Sequence, residues 1–251
     1  MISLKGKRAL VTGGSRGIGA ATAVLLAEWG ADVGIGYRSR AAEAEAVVKE
    51  CQALGVRAFA QASDIGTAAG SEALAQRAAK EFGGLDLFVG NAGIWPAPEV
   101  PAQTMTDDRW SRTMRENVDG MFFSTRAALR VMMDGGRVVL VSSTAGQRGE
   151  SMHSDYAASK GAMISFVKSL AIELAPRGIT VNSVAPGWVD TDMSAEALRG
   201  GERQRVTATI PIARIATARD IAGPIVFLCS ELARHITGEI VNVNGGSVLC
   251  G

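Results

Sequence analysis

The sequence has 251 residues, 47% hydrophobic and 20% charged, and its 26 basic and 25 acidic side chains leave a formal net charge of +1. This composition excludes a disordered chain, and the interspersed charges leave no electrostatic footprint for nucleic acid or an anionic membrane, so a small-molecule partner is expected. Cys51, Cys229 and Cys250 form neither a CxxC nor a metal-ligand spacing; no metal is expected, and the thiols read as reduced and structural in a cytoplasmic protein.

The start, Met1 to Lys7, lacks the apolar core and cleavage site of a signal peptide, and no apolar run approaches the ~18 residues of a membrane span. In chain order, a strand over 8–12 runs into Thr12-Gly13-Gly14-Ser15-Arg16-Gly17-Ile18-Gly19 and then a helical pattern through Trp29, with Gly30 as its stop. Strand, glycine turn, helix is a nucleotide-binding context. Glycine permits positive φ and close approach of backbone to a pyrophosphate, and a helix start offers free N–H groups to the anion. The glycines are spaced G-x-x-x-G-x-G, so the turn alone also fits an ordinary strand-to-helix connection.

A second strand over 32–37, an Ala/Glu-rich helix over 41–54 closed by Gly55, and a third strand over 57–61 follow. Asp64 opens the turn into a helix over 67–82 and reads as its cap. Apolar strands alternating with helices predict an α/β fold, a doubly wound parallel sheet flanked by helices on both faces, in a single domain over 1–251.

The strand over 85–89 leads to Asn91-Ala92-Gly93, and the proline-punctuated stretch from Trp95 to Pro101 reads as a loop bordering the site. A helix resumes near Thr106; the part carrying Asn117, Met121, Phe122, Phe123, Leu129, Met132 and Met133 is apolar over more than one stripe. The strand over 137–141 ends in Ser142-Ser143, where hydroxyls face the ligand crevice of an open α/β sheet. Tyr156 and Lys160 then stand four residues apart, on one face if the segment is helical. A phenol titrates near pH ~10 and is sluggish at neutrality unless a cation favours the phenolate; Lys160 is placed to be that cation. This helix is also apolar on two sides, with Met163, Phe166, Val167, Leu170 and Leu174 on one and Ile164, Ala171 and Ile172 on the other. The second cover is expected to be another subunit. His153 and His235 are isolated from any carboxylate or thiolate cluster, and His153 reads as a loop histidine without a role. After a strand over 180–184, the segment around 190–215 lacks a long regular period and is expected to form a mobile lid over the substrate. Thr217 and Asp220 form a capping box for a helix to Leu228, and the last strand covers 240–243.

With these motifs in this order, the chain resembles the short-chain dehydrogenase/reductase family from Lys7 to Gly246, most closely its 3-oxoacyl carrier-protein reductases and its glucose or polyol dehydrogenases. The resemblance implies a single-domain Rossmann-type fold and a catalytic tetrad of Asn117, Ser143, Tyr156 and Lys160. Tyr156 would exchange a proton with the substrate oxygen, Ser143 would fix that oxygen, Lys160 would lower the phenol pKa and hold the nicotinamide ribose, and Asn117 would hold a water leading from Lys160 to solvent. It also implies cofactor contacts from Gly13, Ser15, Arg16, Gly17, Ile18 and Gly19, from Tyr37, Arg38 and Ser39, and from Ile65, Asn91, Ala92 and Gly93. Pro186, Gly187, Val189 and Thr191 would complete them, together with Tyr156 and Lys160. Asp64 would touch the adenine, a role compatible with capping.

Tyr37 stands where an NAD-selective chain places a carboxylate, and Arg38, Ser39 and Arg40 follow, with Arg16 projecting toward the same pocket. A guanidinium binds a 2′-phosphate bidentately and a carboxylate repels it, so NADP(H) is the expected cofactor. The expected activity is NADPH-dependent, metal-free reduction of a ketone or 3-oxoacyl compound by a homotetramer. A sugar, polyol or cyclic-alcohol dehydrogenase is the alternative, and a nonenzymatic NADP-binding regulator a remote one. Substrate choice would rest on Ile94, Trp95, Gln147, Arg148, His153, Trp188 and the lid. An acyl-carrier protein as partner would call for a cationic patch, for which Arg126, Arg130 and Arg177 are candidates; Ile172 departs from the basic residue often found there.

Overall fold

The computed structural model describes residues 3–249, which leaves the expectation for Cys250 outside the described residues. Strands β1 (Arg8–Thr12), β2 (Asp32–Tyr37) and β3 (Ala58–Ala62) are linked by helices α1 (Gly17–Glu28) and α2 (Ala41–Ala53). Helix α3 (Ala68–Phe82) leads to β4 (Leu85–Gly90), and α4 (Asp107–Met114), a π-helical turn (Arg115–Asp119) and α5 (Gly120–Val131) lead to β5 (Met132–Val141). The short α6 (Thr144–Arg148) and long α7 (Ser154–Leu174) precede β6 (Thr180–Pro186). Then come β7 (Val189–Asp190), α8 (Glu202–Ala208), β8 (Ala216–Thr217), α9 (Ala218–Leu228) and β9 (Ile240–Val243).

The main sheet is parallel throughout, in the order β3-β2-β1-β4-β5-β6-β9. This is the doubly wound sheet that the alternation of elements predicts. The chain winds outward from β1 to β3, then crosses back to β4, so the strand order reverses between β1 and β4 and a crevice opens beyond their carboxyl ends. Because successive side chains point to opposite faces, β5 divides its apolar residues between two cores. Val139 and Val141 join Leu26, Ile35, Ile221 and Ile225 on one face; Val138 and Leu140 join Leu10, Phe88, Met163 and Val167 on the other.

Three local expectations are corrected. Met132 and Met133 begin β5 instead of ending a helix: Met132 pairs with Leu85, and the register then shifts to pair Leu87 with Arg137, so strand pairing takes the chain before the Gly135-Gly136 break is reached. Asn117 lies in a helix as expected, within the π-helical turn that joins α4 to α5. The cap of α3 is Thr67, whose Oγ1 accepts from Gly70 N at 3.1 Å; Asp64 sits a turn earlier, with Oδ1 accepting from Gly66 N at 3.1 Å. The 190–215 segment is partly regular, since β7 pairs with β8 and α8 lies between them. The capping box of Thr217 and Asp220 on α9 is present as expected.

Candidate active site

The crevice is built first from backbone. Gly13 and Gly17 take φ of 65° and 55°, left-handed values that favour glycine. A Cβ on Gly13 would lie 3.0 Å from Ala92 Cα. Thr12 Oγ1 accepts from the backbone N–H of Asn91 (3.0 Å) and of Ala92 (3.1 Å), while Asn91 Nδ2 donates to the carbonyls of Thr12 (3.0 Å) and Gly13 (3.2 Å). These bonds fix the strand ends at the switch point. At the start of α1, Arg16 supplies no side-chain cap, so the helix's first N–H groups face the crevice without one.

Two contiguous cavities, of about 240 and 380 Å³, share Ile18, Asn91, Gly93, Ile94, Thr191 and Met193. Gly13, Ser15, Arg16, Gly17, Tyr37, Arg38, Ser39, Asp64, Ile65 and Ala92 line the smaller one. Ser143, Tyr156, Lys160, Pro186, Gly187 and Val189 line the larger. Two expected site residues line neither. Gly19 lies beneath the turn, where a Cβ would come within 2.2 Å of Gly13 O; its smallness serves packing. Asn117 is fully buried. Its Oδ1 accepts from Ile94 N (2.7 Å), and its Nδ2 donates to Ile94 O and to Ser159 Oγ (both 2.9 Å), so the amide clamps the strand-end loop to α7.

At the far end of the smaller cavity the two expected phosphate-binding arginines pair with acids. Arg38 Nη1 donates to Glu116 Oε2 (2.5 Å), and Arg16 Nη1 to Asp192 Oδ2 (2.9 Å). Glu116 also accepts from Arg115 Nη2 at 2.6 Å, and Arg115 reaches Asp64 Oδ2 at 3.2 Å. A carboxylate one residue before Asn117 gives no sequence signal of reaching across to the end of β2.

At the reacting end, Ser143 caps α6 and hydrogen-bonds Tyr156. Burial pushes the Tyr156 phenol up to about 12; the Ser143 bond opposes this and the nearby Glu150 carboxylate adds to it. Burial brings the Lys160 ammonium down to about 8, and its Nζ donates to Val141 O at 2.8 Å. With the phenol raised, Tyr156 stays protonated, and so able to donate, throughout the neutral range.

The loop after β4 closes one side. Trp95 stacks on His153 with ring centroids 4.7 Å apart and meets Trp188 edge-on at 6.0 Å. His153 is thus buried behind Trp95. Arg109 Nη1 donates to Pro98 O (2.6 Å) and its Nε to the buried Asp155 (3.2 Å), tying the loop to the residue before Tyr156. Glu150 also lines this cavity and was missed; its proximity to Tyr156 in sequence was the only available signal. Arg130 and Arg177 are not beside the cleft. Arg177 donates to the carbonyls of Leu129 and Met132 at the opposite end of β5, and both arginines pair with acids, Glu72 and Asp134. Among the described residues there is no cluster of three or more His, Cys, Asp or Glu that could hold a metal, and no helix is long and apolar enough to cross a membrane.

The family model described as enoyl-(acyl carrier protein) reductase matches residues 13–247. The 3-oxoacyl-[acyl-carrier-protein] reductase FabG of Vibrio cholerae is 41% identical over 247 residues, 98% of each chain. Among solved structures, a short chain dehydrogenase from Burkholderia cenocepacia in complex with NADP superposes with a TM-score of 0.92 at 41% identity, covering 97% of this chain and 98% of that one. A blue fluorescent protein from a metagenomic library in complex with NADPH matches at 0.92 and 39%, covering 98% and 100%. With a parallel Rossmann-type sheet, a glycine turn at its switch point, and Ser143, Tyr156 and Lys160 together in the crevice, the chain belongs to the short-chain dehydrogenase/reductase family of oxidoreductases.

Proposed function

We propose that this chain reduces a ketone or 3-oxoacyl compound to the secondary alcohol with NADPH. The observation that carries the reading is the convergence of Ser143, Tyr156 and Lys160 in a cavity continuous with the glycine turn. The cleft fits a dinucleotide: Gly13 and Gly17 let backbone approach a pyrophosphate, the uncapped start of α1 offers N–H groups to it, and Arg16 and Arg38 offer cations at the other end. The B. cenocepacia relative, solved with NADP, supports the cofactor. A nicotinamide held there by these residues would supply the hydride for the carbonyl carbon.

Ser143 holds the substrate oxygen within reach of Tyr156, which gives it the phenolic proton; positioning of this kind contributes several kcal/mol, and proton transfer about 10²–10⁴ in rate. Lys160 would hold the nicotinamide ribose, and its Nζ, 5.8 Å from the centroid of the Tyr156 ring, keeps positive charge beside the phenol as it loses its proton. Asn117 fixes the loop at Ile94 against α7 and so sets the width of the cavity. Chain segment 190–215 acts as the lid, with Thr191, Met193, Ser194 and Thr209 on the cavity wall. The assembly is a homotetramer, supported by exposed apolar side chains on α4, α5 and α7.

The carrier-linked substrate of the V. cholerae relative makes a 3-oxoacyl thioester the first compound to assay. NADPH consumption is expected with such a thioester or with a small ketone. If no carbonyl compound is reduced while an aldose or polyol is oxidised rapidly with NADP⁺, the reductase reading fails.

A further inference from the structure

Glu150 is the one carboxylate among the described residues lining the substrate cavity, and its surroundings leave it short of donors. The turn carrying it is pinned: Gly149 and Met152 have φ of 80° and 65°, and Met152 O accepts from Val100 N at 2.9 Å, joining this turn to the Trp95 loop. A non-glycine residue held in the left-handed region is a strained feature that the surrounding bonds maintain. The Glu150 side chain is 23% exposed and faces the same space as Tyr156 and Ser143.

A carboxylate has room for about four hydrogen bonds. Here the Trp95 side chain supplies one, and His153 Nδ1, at 3.9 Å, lies beyond hydrogen-bond reach. Arg148 lines the same cavity and acts on Glu150 through its charge, without a hydrogen bond, and Lys160 Nζ donates to Val141 O at 2.8 Å. Burial accordingly raises the Glu150 pKa, the expected response of an under-solvated acid. An apolar acyl tail laid over this group would remove its remaining hydration and return nothing, and a free 3-oxo acid would meet like charge. A cation repays the desolvation of a charge, and the adjoining Trp95 and Trp188 add the π-systems to which ammonium groups are drawn.

We propose that Glu150 determines substrate specificity, and that the preferred substrate is a ketone bearing a protonated amine, held between this carboxylate and Trp95 and Trp188. This rests on the ketoreductase reading above.

The experiment compares N-methyl-4-piperidone, cyclohexanone and 4-hydroxycyclohexanone with NADPH, below neutral pH so that the amine is protonated, in wild type and Glu150→Gln. The wild type is expected to favour the amino ketone over cyclohexanone in kcat/KM by roughly ten- to a hundred-fold, the range of a charge-assisted hydrogen bond, and Glu150→Gln to remove most of that ratio. No preference in the wild type, or a ratio unchanged in Glu150→Gln, overturns the proposal; an equal preference for the hydroxyl ketone overturns the amine. Cyclohexanone turnover reports on the ketoreductase reading by itself. If no ketone turns over, that reading fails, and titration of tryptophan fluorescence with N-methyl-4-piperidone still decides: equal dissociation constants in wild type and Glu150→Gln overturn the role of Glu150.

Discussion

Lys160 Nζ lies 5.8 Å from the centroid of the Tyr156 ring and gives its hydrogen bond to Val141 O, not to the phenol oxygen. The two groups therefore titrate in opposite directions from their ordinary values, Lys160 to about 8 and Tyr156 to about 12, because burial disfavours the charged form of each. Below about pH 8 Lys160 is charged and Tyr156 protonated; above it the lysine loses its charge first. The kcat/KM for NADPH, which reports the free enzyme, is expected to fall as pH rises through about 8. Lys160→Arg, charged at every accessible pH, should lack that limb in whatever activity it keeps. A wild-type profile flat to about two units above this point contradicts the assignment.

Tyr156→Phe removes the proton donor and leaves the ring in place, so the fold should survive. Turnover is expected to drop by about 10²–10⁴. Circular dichroism and NADPH titration check the fold, and retention of more than about a tenth of wild-type turnover contradicts the role.

Arg38 is half-exposed and paired with Glu116. A surface ion pair contributes only about 0–1 kcal/mol, whereas a charged hydrogen bond to phosphate contributes about 1.5–3, so a 2′-phosphate should displace Glu116. Arg38→Ala is expected to weaken NADPH roughly ten- to a hundred-fold and leave NADH nearly unchanged. Equal catalytic efficiency with both cofactors in the wild type runs against this.

Gly19 has no space for a methyl group: a Cβ would sit 2.2 Å from Gly13 O and 2.6 Å from Asn91 Nδ2. The neighbours are backbone and a side chain already bonded to that backbone, so the glycine turn itself must move. Gly19→Ala should cost about 1–3 kcal/mol of stability and weaken NADPH, read by thermal melting and titration. An unchanged melting temperature would show that α1 can shift freely.

Trp110, Phe122 and Ile172 are 45%, 40% and 79% exposed on α4, α5 and α7, and Arg126 covers the Phe122 ring at 4.8 Å. Exposed apolar side chains on neighbouring helices mark an association surface. A tetrameric mass by light scattering at micromolar concentration is expected, and Phe122→Glu should lower it. A monomeric wild type rules the assembly out.

What neighbouring residues encode was legible from the sequence. The alternation of apolar strands and helices, the glycine turn, the Tyr156 to Lys160 spacing and the capping box at Thr217 each depend on contacts within a few residues, and each stands in the structure as read. The limits of those elements were less legible where a distant strand intervened, as when Leu85 draws Met132 into β5. The withdrawal of Asn117 into a clamp on Ile94, the pairing of Arg38 with Glu116 and the placing of Glu150 beside Tyr156 depend on which elements the sheet order brings together. The charge states at the site belong to the same class. A phenol and an ammonium take their ordinary values from chemistry, but their shifts come from the water that packing removes, and that is decided only when β1, β4 and β5 align beneath α7.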